Sequence, residues 1–216
     1  MGAPGVPNWA VIIPLKPLDR SKTRLEVEDD RRAHLALAFA RDVVAAATAC
    51  AIVSEVVVVT DDPRATAVLR AEGARVVSDV GGGLNAAFEH GAKTARARNA
   101  EVGVAALAGD LPALRADELE RALLAAWPRR RCYVPDADGV GTVLLTARPG
   151  VGLGAAFGIA SSDEHLASGA YPLDLDDCPG LRRDVDTADD LTAVLAIGVG
   201  PATADVVAAA AQTHQA

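Results

Sequence analysis

The sequence predicts a single α/β domain in which a mostly parallel mixed sheet lies between two layers of helices, a three-layer αβα arrangement. Short runs of β-branched and apolar residues alternate with segments of helical periodicity, which is the order expected of βαβ units. The runs at 9–15 (WAVIIPL) and 55–60 (EVVVVT) are apolar almost throughout, as in strands covered on both faces. The sequence of 216 residues shows no internal repeat or linker, so we expect one domain spanning residues 1–216.

The first half of the chain alternates regularly between the two kinds of element. The pattern predicts strands at 9–15, 55–60, 74–78 and 102–108, and helices at 30–48, 63–72, 84–98 and 116–127. In the first helix, Leu35, Phe39 and Val43 fall on one face. The second helix is entered through Asp62 and Pro63, residue types that are favoured at helix N-termini. In sheets of this kind, ligands bind beyond the carboxyl ends of the strands.

The second half of the chain is less regular. The pattern predicts strands at 131–135 and 141–146 around a turn at 136–139, a helix at 157–168, a strand at 171–175 and a helix at 187–197. Asp186 or Thr187 is the expected N-terminal cap of the last of these helices. A run of alanine and valine at 206–211 also favours helix.

Composition argues against several classes of protein. The net charge of −8 and pI of about 5.0 are unlike those of nucleic-acid binders or of proteins that bind anionic membrane surfaces. No stretch approaches the ~20 apolar residues of a membrane span, and residues 1–8 lack the order of a signal peptide. The dispersed Cys50, Cys132 and Cys178 form no CxxC pair, which indicates buried thiols in a reducing cytoplasm.

The loop after the first predicted strand, KPLDRSKTRL at 16–25, is strongly basic. Its cations are Lys16, Arg20, Lys22 and Arg24, and Ser21 and Thr23 add two hydroxyls. Clustered cations and hydrogen-bond donors are what a triphosphate requires in a confined site. The alternative is a solvated basic loop. The segment is not a Walker loop, because the GxxxxGK[ST] pattern is absent.

A second candidate is the glycine-rich segment DVGGGLN at 79–85, between a predicted strand and a helix. Gly82 and Gly83 would let backbone amides approach a ligand at the helix N-terminus, and Asn85 could read the edge of a base. We therefore include these three residues among the candidates for binding a nucleotide. A plain flexible turn is the alternative.

Three aspartates are candidates for a metal site. Asp110 directly follows the strand at 102–108, where its carboxylate would reach the ligand crevice. Asp184 and Asp186 share a face if their segment is extended, and carboxylates so close repel each other unless a cation lies between them. With Asp110 they could hold two Mg²⁺ ions. The alternative is that Asp110 and Asp186 only cap helices.

Small polar residues in the second half of the chain could bind an anionic group. Thr142, Gly158 and Ser161 offer hydroxyls and backbone amides for a phosphate or carboxylate, although capping is an alternative role. His165 follows Ser161 by four residues and could share its face, with a surface or internally bonded histidine as the alternative. No Ser/His/Asp or Cys/His order stands out, and nucleotidyl transfer needs no protein nucleophile because an acceptor phosphate is already ionised.

Taken together, six segments resemble one known family. They are VIIPLKPLDRSKTRL, SDVGGGLNAA, LAGDLPAL, PDADGVGTVLL, FGIASSDEH and LRRDVDTADDL, and they occur in order over nearly the whole chain. They resemble the guanylyltransferases of coenzyme F(420) biosynthesis, which act on phosphoenolpyruvate or 2-phospho-L-lactate. The resemblance implies a nucleotidyltransferase fold of the molybdenum-cofactor guanylyltransferase type, similar to a Rossmann fold. It also implies transfer of GMP from GTP to the acceptor phosphate, with release of diphosphate.

The resemblance also implies roles for individual residues. Asp110, Asp184 and Asp186 match the family's Mg²⁺-binding carboxylates, and with Lys22 they form the expected catalytic set. Thr142, Gly158 and Ser161 match the positions that hold the phosphorylated acid. Lys16, Lys22 and Arg24 would meet the GTP phosphates. The wider superfamily has a glycine-rich first loop where this chain has a Pro/Lys/Arg loop.

The acceptor is not decided by the sequence. The composition, rich in Ala, Val and Arg and poor in Lys, is typical of GC-rich bacteria, in which family relatives are thought to use phosphoenolpyruvate. 2-Phospho-L-lactate and phosphoglycerate differ from it by a few atoms. A related transferase for a sugar phosphate or molybdopterin, or a member that binds nucleotide without turnover, are the alternatives. A homodimer is compatible with the sequence.

Overall fold

The computed structural model describes residues 6–22, 24–25 and 28–213. Thr23, a predicted member of the basic loop, lies outside the described residues. Within these ranges the strands are β1 (Trp9–Pro14), β2 (Val53–Val59), β3 (Arg75–Val77), β4 (Gly103–Leu107), β5 (Arg131–Pro135), β6 (Thr142–Ala147) and β7 (Tyr171–Pro172). They form one sheet in the order β3-β2-β1-β4-β6-β5-β7. The predicted mostly parallel mixed sheet is confirmed.

Strand direction brings three loops to one edge of the sheet. β1 is parallel to β2 and to β4, whereas β6 is antiparallel to both β4 and β5. Leu107, the last residue of β4, pairs with Leu144 near the start of β6. The first residue of β6, Thr142, therefore lies at the same edge as the carboxyl ends of β1 and β4, where ligands bind in sheets of this kind.

Helices cover both faces of the sheet. They are α1 (Asp29–Ala49), α2 (Pro63–Ala71), α3 (Leu84–Arg98), α4 (Ala116–Ala126), α5 (Ser161–Ala167), α6 (Pro179–Arg182), α7 (Ala188–Ile197) and α8 (Pro201–Thr213), with a short 3₁₀ helix at Leu18–Arg20. Val11 and Ile13 of β1 pack with α1, α2 and α4, while Ile12 packs with α3 on the other face. Burying each such side chain stabilises the fold by about 1.5–3 kcal/mol. No helix in the described ranges is long and apolar enough to span a bilayer.

Close contacts hold α3 against β1 and α8 against α1. A Cβ added at Gly91 of α3 would lie 2.3 Å from Cγ2 of Ile12, so only glycine lets this helix approach β1 so closely. On the opposite face, the buried carboxylate of Asp42 accepts hydrogen bonds from the N–H groups of Ala202 and Thr203, at 3.0 and 2.9 Å. Asp42 on α1 thus caps α8, although 160 residues separate the bonded pair of Asp42 and Ala202.

The second half departs from the predicted elements in four places. The helix predicted at 157–168 begins only at Ser161, because Gly158 and Ala160 have φ angles of 150° and 56°, which a right-handed helix does not allow. The strand predicted at 171–175 is limited to Tyr171–Pro172, since the chain turns where the Cys178 N–H bonds to the Leu175 carbonyl. Helix α6 was not predicted, and α8 extends well beyond the predicted run at 206–211.

Candidate active site

The three predicted metal-binding aspartates lie together at the ligand edge of the sheet. Asp110 follows β4, and Asp184 and Asp186 lie in the segment between α6 and α7. The N–H of Val185 donates to the Asp110 carbonyl oxygen at 3.1 Å, which holds the two segments side by side. The Val185 side chain is fully buried, so its two neighbours turn away from that core. One carboxylate oxygen from each aspartate lies within 4.8 Å of the others.

The electrostatics of this acidic triad (Asp110, Asp184 and Asp186) are unfavourable without a further cation. Burial, followed by the charges of Asp110 and Asp186, raises the pKa of Asp184 to about 7. Among the residues that the structure describes, Asp184 forms no ion pair. Three oxygen donors this close, one of them without a partner, are the ligand set that a hard divalent cation takes. The donor set therefore fits a Mg²⁺ or similar ion.

Lys22 is the cation that the chain itself supplies to the triad. Its Nζ donates to Asp110 and, at 3.0 Å, to Oδ1 of Asp186. Burial lowers the pKa of Lys22, but the charges of the two aspartates outweigh it and leave the pKa above its ordinary value. Its φ of 55° lies in the left-handed region, which costs a non-glycine residue about 1–2 kcal/mol. Lys22 thus reaches the aspartates from a strained backbone conformation.

The rest of the basic loop is fastened to the core at its start. The Leu18 N–H donates to Oδ2 of Asp62 at 3.0 Å, and the Ser21 hydroxyl donates to the Pro17 carbonyl oxygen at 3.1 Å. Asp62 also caps α2, as predicted from the sequence. Arg24 is different, since its side chain is 78% exposed and only approaches Asp186, at 3.9 Å. Lys22 is therefore held by two ion pairs, whereas Arg24 is largely exposed.

A cavity of about 500 Å³ connects these groups to the predicted acceptor residues. This volume is typical of a small-molecule site. The predicted site residues that line it are Lys16, Lys22, Arg24, Asp110, Thr142, Gly158, Ser161, Asp184 and Asp186. Arg20, Leu84, Phe88, Asp136 and Phe157 line it as well. One side of the cavity thus carries the charged residues of the triad and the basic loop. The other side, formed by β6 and the start of α5, carries small polar residues.

Leu84 of the glycine-rich segment lines the cavity, whereas Gly82, Gly83 and Asn85 do not. Gly82 and Gly83 are exposed, with positive φ angles of 89° and 86°, at the N-terminus of α3. The Asn85 amide is bonded to the backbone of Phe157, accepting from its N–H at 2.7 Å and donating to its carbonyl oxygen at 3.0 Å. Asn85 therefore positions the segment before α5 in this structure, and a role of these three residues in binding GTP stays a prediction.

Sequence reasoning missed how the segment before α5 is held. Three consecutive N–H groups, those of Ala155, Ala156 and Phe157, donate to side chains of Glu89, His165 and Asn85 respectively. Two of these side chains come from α3 and one from α5. The only sequence signal was the spacing of His165 from Ser161. We refer to the residues 153–160 as the acceptor segment, because Gly158 lies within it.

The charges and donors around the cavity suit nucleotidyl transfer. Four cations surround one part of the cavity, carboxylates for a divalent ion lie next to them, and hydroxyl and backbone groups form the opposite wall. Such a site can neutralise a triphosphate and align it with a second anion, which is what transfer to an ionised acceptor requires.

Comparisons with known proteins agree with this chemistry. A family model described as "Guanylyl transferase CofC like" matches residues 9–209. The phosphoenolpyruvate guanylyltransferase of Streptomyces coelicolor is 54% identical over 204 residues, which cover 93% of this chain and 96% of that protein.

Solved structures share the fold at low sequence identity. A putative nucleotide-diphospho-sugar transferase from Desulfovibrio desulfuricans G20 has a TM-score of 0.64 and 19% identity, covering 86% of this chain and 85% of that one. Rv0371c from Mycobacterium tuberculosis, in complex with manganese, has a TM-score of 0.53 and 23% identity, covering 88% and 98%. These likenesses confirm the nucleotidyltransferase-like fold. The family match over residues 9–209 confirms the resemblance seen in the sequence, and the chain belongs to the family of CofC-like guanylyl transferases.

Proposed function

We propose that this chain transfers GMP from GTP to phosphoenolpyruvate, releasing diphosphate, in the biosynthesis of coenzyme F(420). The observation that carries the proposal is the single cavity that joins the acidic triad, the basic loop and the Thr142, Gly158 and Ser161 wall. Family membership supports guanylyl transfer, and the name of the Streptomyces coelicolor relative supports phosphoenolpyruvate as the acceptor. 2-Phospho-L-lactate is the second candidate acceptor.

In the proposed reaction an oxygen of the acceptor phosphate attacks the α-phosphorus of GTP. A new P–O bond forms, the bond to the α,β-bridging oxygen breaks, and diphosphate leaves with the electron pair. The acceptor phosphate has a second pKa of about 6 and needs little help from a general base at neutral pH. The protein has to overcome the repulsion between two anions and align them, which accounts for the absence of a protein nucleophile in the proposal.

The basic loop takes the nucleotide in this proposal. Lys16, Lys22 and Arg24 bind the GTP phosphates, with Gly82, Gly83 and Asn85 as further candidates on the nucleotide side. Asp110, Asp184 and Asp186 would hold Mg²⁺. When bound, the ion neutralises phosphate charge and polarises the phosphorus centre. Lys22 adds a fixed positive charge next to it, since its ammonium is already held by two of the three aspartates.

The acceptor lies against the opposite wall. Thr142 and Ser161 are buried at the first positions of β6 and α5. Gly158 lines the same cavity, and a Cβ built there meets nothing within 4 Å, so there is open space at this residue. A compact anion placed here would have its phosphate facing the nucleotide side.

The test is product analysis with a panel of substrates. The protein is mixed with Mg²⁺, one of GTP, CTP and UTP, and one of phosphoenolpyruvate, 2-phospho-L-lactate and phosphoglycerate. Mass spectrometry identifies the product, and diphosphate release gives the rate. We expect GTP with phosphoenolpyruvate to give the highest kcat/KM, and Asp184→Asn serves as the inactive control. A product only with a sugar phosphate, with molybdopterin or with another nucleotide would contradict the proposal.

The location of the protein in the cell and its oligomeric state belong to the same proposal. All three cysteines lie in the described part of the chain, where they are buried and unpaired. Burial raises the pKa of the Cys132 and Cys178 thiols to about 11, so both stay protonated and unreactive. This supports a cytoplasmic protein, which is also where GTP is available. Whether the chain forms a homodimer is tested by measuring its mass in solution.

A further inference from the structure

His165 is a fully buried histidine that the proposed reaction does not use. It lies on α5 with its ring between the acceptor segment and β6. Its Nε2 is 3.1 Å from the backbone N of Ala156, and its Nδ1 is 2.9 Å from Oγ1 of Thr142. The ring also packs edge-on against Phe157, with centroids 5.1 Å apart. Each nitrogen therefore has one polar partner: Thr142 lines the cavity, and Ala156 directly precedes Phe157, which also lines it.

These two contacts determine where the imidazole carries its proton. The Ala156 N–H is a donor only, so Nε2 has to be the acceptor and cannot carry a hydrogen. A neutral imidazole then carries its hydrogen on Nδ1, and that N–H donates to Oγ1 of Thr142. A doubly protonated ring would set two N–H groups against each other at Ala156. Consistent with this, burial and then the charge of Arg131 lower the pKa of His165 to about 4.

The direction of this bond fixes the Thr142 hydroxyl in turn. A threonine hydroxyl has one hydrogen to donate and two lone pairs. Because one lone pair receives the His165 Nδ1–H, the hydroxyl hydrogen remains available. No other described group forms a hydrogen bond to Oγ1 of Thr142. Thr142 also lines the cavity, where an anionic ligand could accept this hydrogen.

We propose that His165 is a positioning residue that sets the Thr142 hydroxyl as a hydrogen-bond donor towards a phosphate or carboxylate oxygen of the acceptor acid. The inference deepens the proposed function and rests on it, because it places the acceptor against Thr142. A hydroxyl free to rotate could instead point a lone pair at the anion. The same ring also accepts from the Ala156 N–H, but the bonds from Ala155 to Glu89 and from Phe157 to Asn85 still hold the acceptor segment when this one is lost.

Two substitutions separate these contacts. In His165→Asn, the amide NH₂ overlies the position of Nδ1, so the donor to Thr142 is kept and the bond to Ala156 is lost. In His165→Gln, the amide oxygen overlies the position of Nε2, so the bond to Ala156 is kept and the donor is lost. We expect His165→Gln to raise the KM for phosphoenolpyruvate about tenfold, the effect of one hydrogen bond to a charged partner. His165→Asn should stay within about threefold of the native KM.

The readout distinguishes positioning from general damage to the fold. The kcat and the KM for GTP should change little in His165→Gln, since the lost interaction concerns the bound acid alone. In a Thr142→Val background, His165→Gln should have no further effect on the KM for the acid, because the hydroxyl is already gone. Equal effects of both His165 variants, no effect of either, or additive effects of Thr142→Val and His165→Gln would overturn the proposal.

The protonation state is measured on the native protein, so it does not depend on any variant folding. Long-range ¹⁵N–¹H correlation spectra show which ring nitrogen carries the hydrogen. The other three histidines among the four are identified by their own glutamine variants. We expect the Nδ1–H form at pH 7, and an Nε2–H form would overturn the inference. If the native protein makes no guanylylated acid, the proposed function fails and the role of Thr142 towards the acid fails with it, whereas an active protein with the Nε2–H form overturns this inference alone.

Discussion

The two sides of the cavity are built in opposite ways. At the acidic triad, three carboxylates crowd together and the pKa of Asp184 is raised to about 7, first by burial and then by its neighbours. At the acceptor segment, three consecutive N–H groups each have a side-chain acceptor, and the histidine among those acceptors is neutral. The first side therefore holds charges that oppose one another, whereas on the second side each of the three N–H groups is already paired.

The difference indicates what each side contributes. Charges that repel each other in the free protein bind a cation strongly, but they lower the stability of the fold. An ordered wall of neutral donors costs little to organise when the acid binds. The following predictions test this contrast, from the largest expected effect to the smallest.

Removal of a triad carboxylate should have the largest effect on activity. We expect Asp110→Asn, Asp184→Asn and Asp186→Asn each to lower kcat/KM by about 10²–10³-fold, as for the loss of a central electrostatic group. Asp189→Asn is the matched control, because this aspartate is exposed in the first turn of α7 and lies outside the cavity lining. Near-native rates in two of the three variants at low Mg²⁺ would show that the metal assignment is wrong.

The same variants should show the opposite effect on stability. Asp184→Asn removes one of three neighbouring charges, so without divalent cations at pH 8 its Tm should equal or exceed the native value, by about 2–4 °C for each 1 kcal/mol relieved. Thermal unfolding with and without Mg²⁺ measures this, and added Mg²⁺ should raise the native Tm more than that of the variant. A clearly lower Tm for Asp184→Asn would mean that the triad is not strained in the free protein.

On the acceptor side, Gly158→Val should prevent binding of the acid without preventing binding of GTP. The added side chain projects into open space, where we place the acceptor. The φ of 150° at Gly158 also disfavours any residue with a Cβ, so Gly158→Ala is the matched control for backbone strain. We expect Gly158→Val to lower the affinity for the acid about a hundredfold and Gly158→Ala to lower it by clearly less. Calorimetry with phosphoenolpyruvate in the presence of GTP and Mg²⁺ gives both values. Unchanged binding in Gly158→Val would place the acceptor elsewhere.

The sequence predicted the acidic triad well and the acceptor segment poorly. Asp110 was found because it follows an apolar strand, and the alternation around Val185 predicted that Asp184 and Asp186 turn the same way. These are local patterns. The acceptor segment depends on bonds between distant residues, such as the Glu89 carboxylate and the Ala155 N–H, 66 positions apart. No local pattern predicts such pairs, so a helix was predicted from residue 157 where the chain is irregular. The ligands assigned to each residue remain predictions.

The neutral histidine on the acceptor side should make stability depend on pH. The pKa of His165 is about 4 in the folded chain, below the ordinary value of 6.5, because of burial and the Arg131 charge. Between pH 6.5 and 4 the unfolded chain binds a proton that the folded chain does not, so the free energy of unfolding falls as the pH falls. Urea unfolding should show a loss of about 1.5 kcal/mol from this group between pH 6.5 and 5. His165→Gln lacks the imidazole. If its free energy of unfolding falls with pH as steeply as that of the native protein, the low pKa of His165 is contradicted.

The smallest effects should come from the basic loop, where two neighbouring cations differ in how firmly they are held. Lys22 is bonded to two aspartates, whereas Arg24 is 78% exposed and lies 3.9 Å from one of them. Lys22→Ala should raise the KM for GTP about tenfold, the value of one charged hydrogen bond, while Arg24→Ala should raise it by less than about fivefold, as for an exposed ion pair. The KM for phosphoenolpyruvate should stay within about twofold in both. Measuring both KM values in each variant decides the point, since a rise confined to the acid would mean that the nucleotide and acceptor sides are the reverse of those proposed.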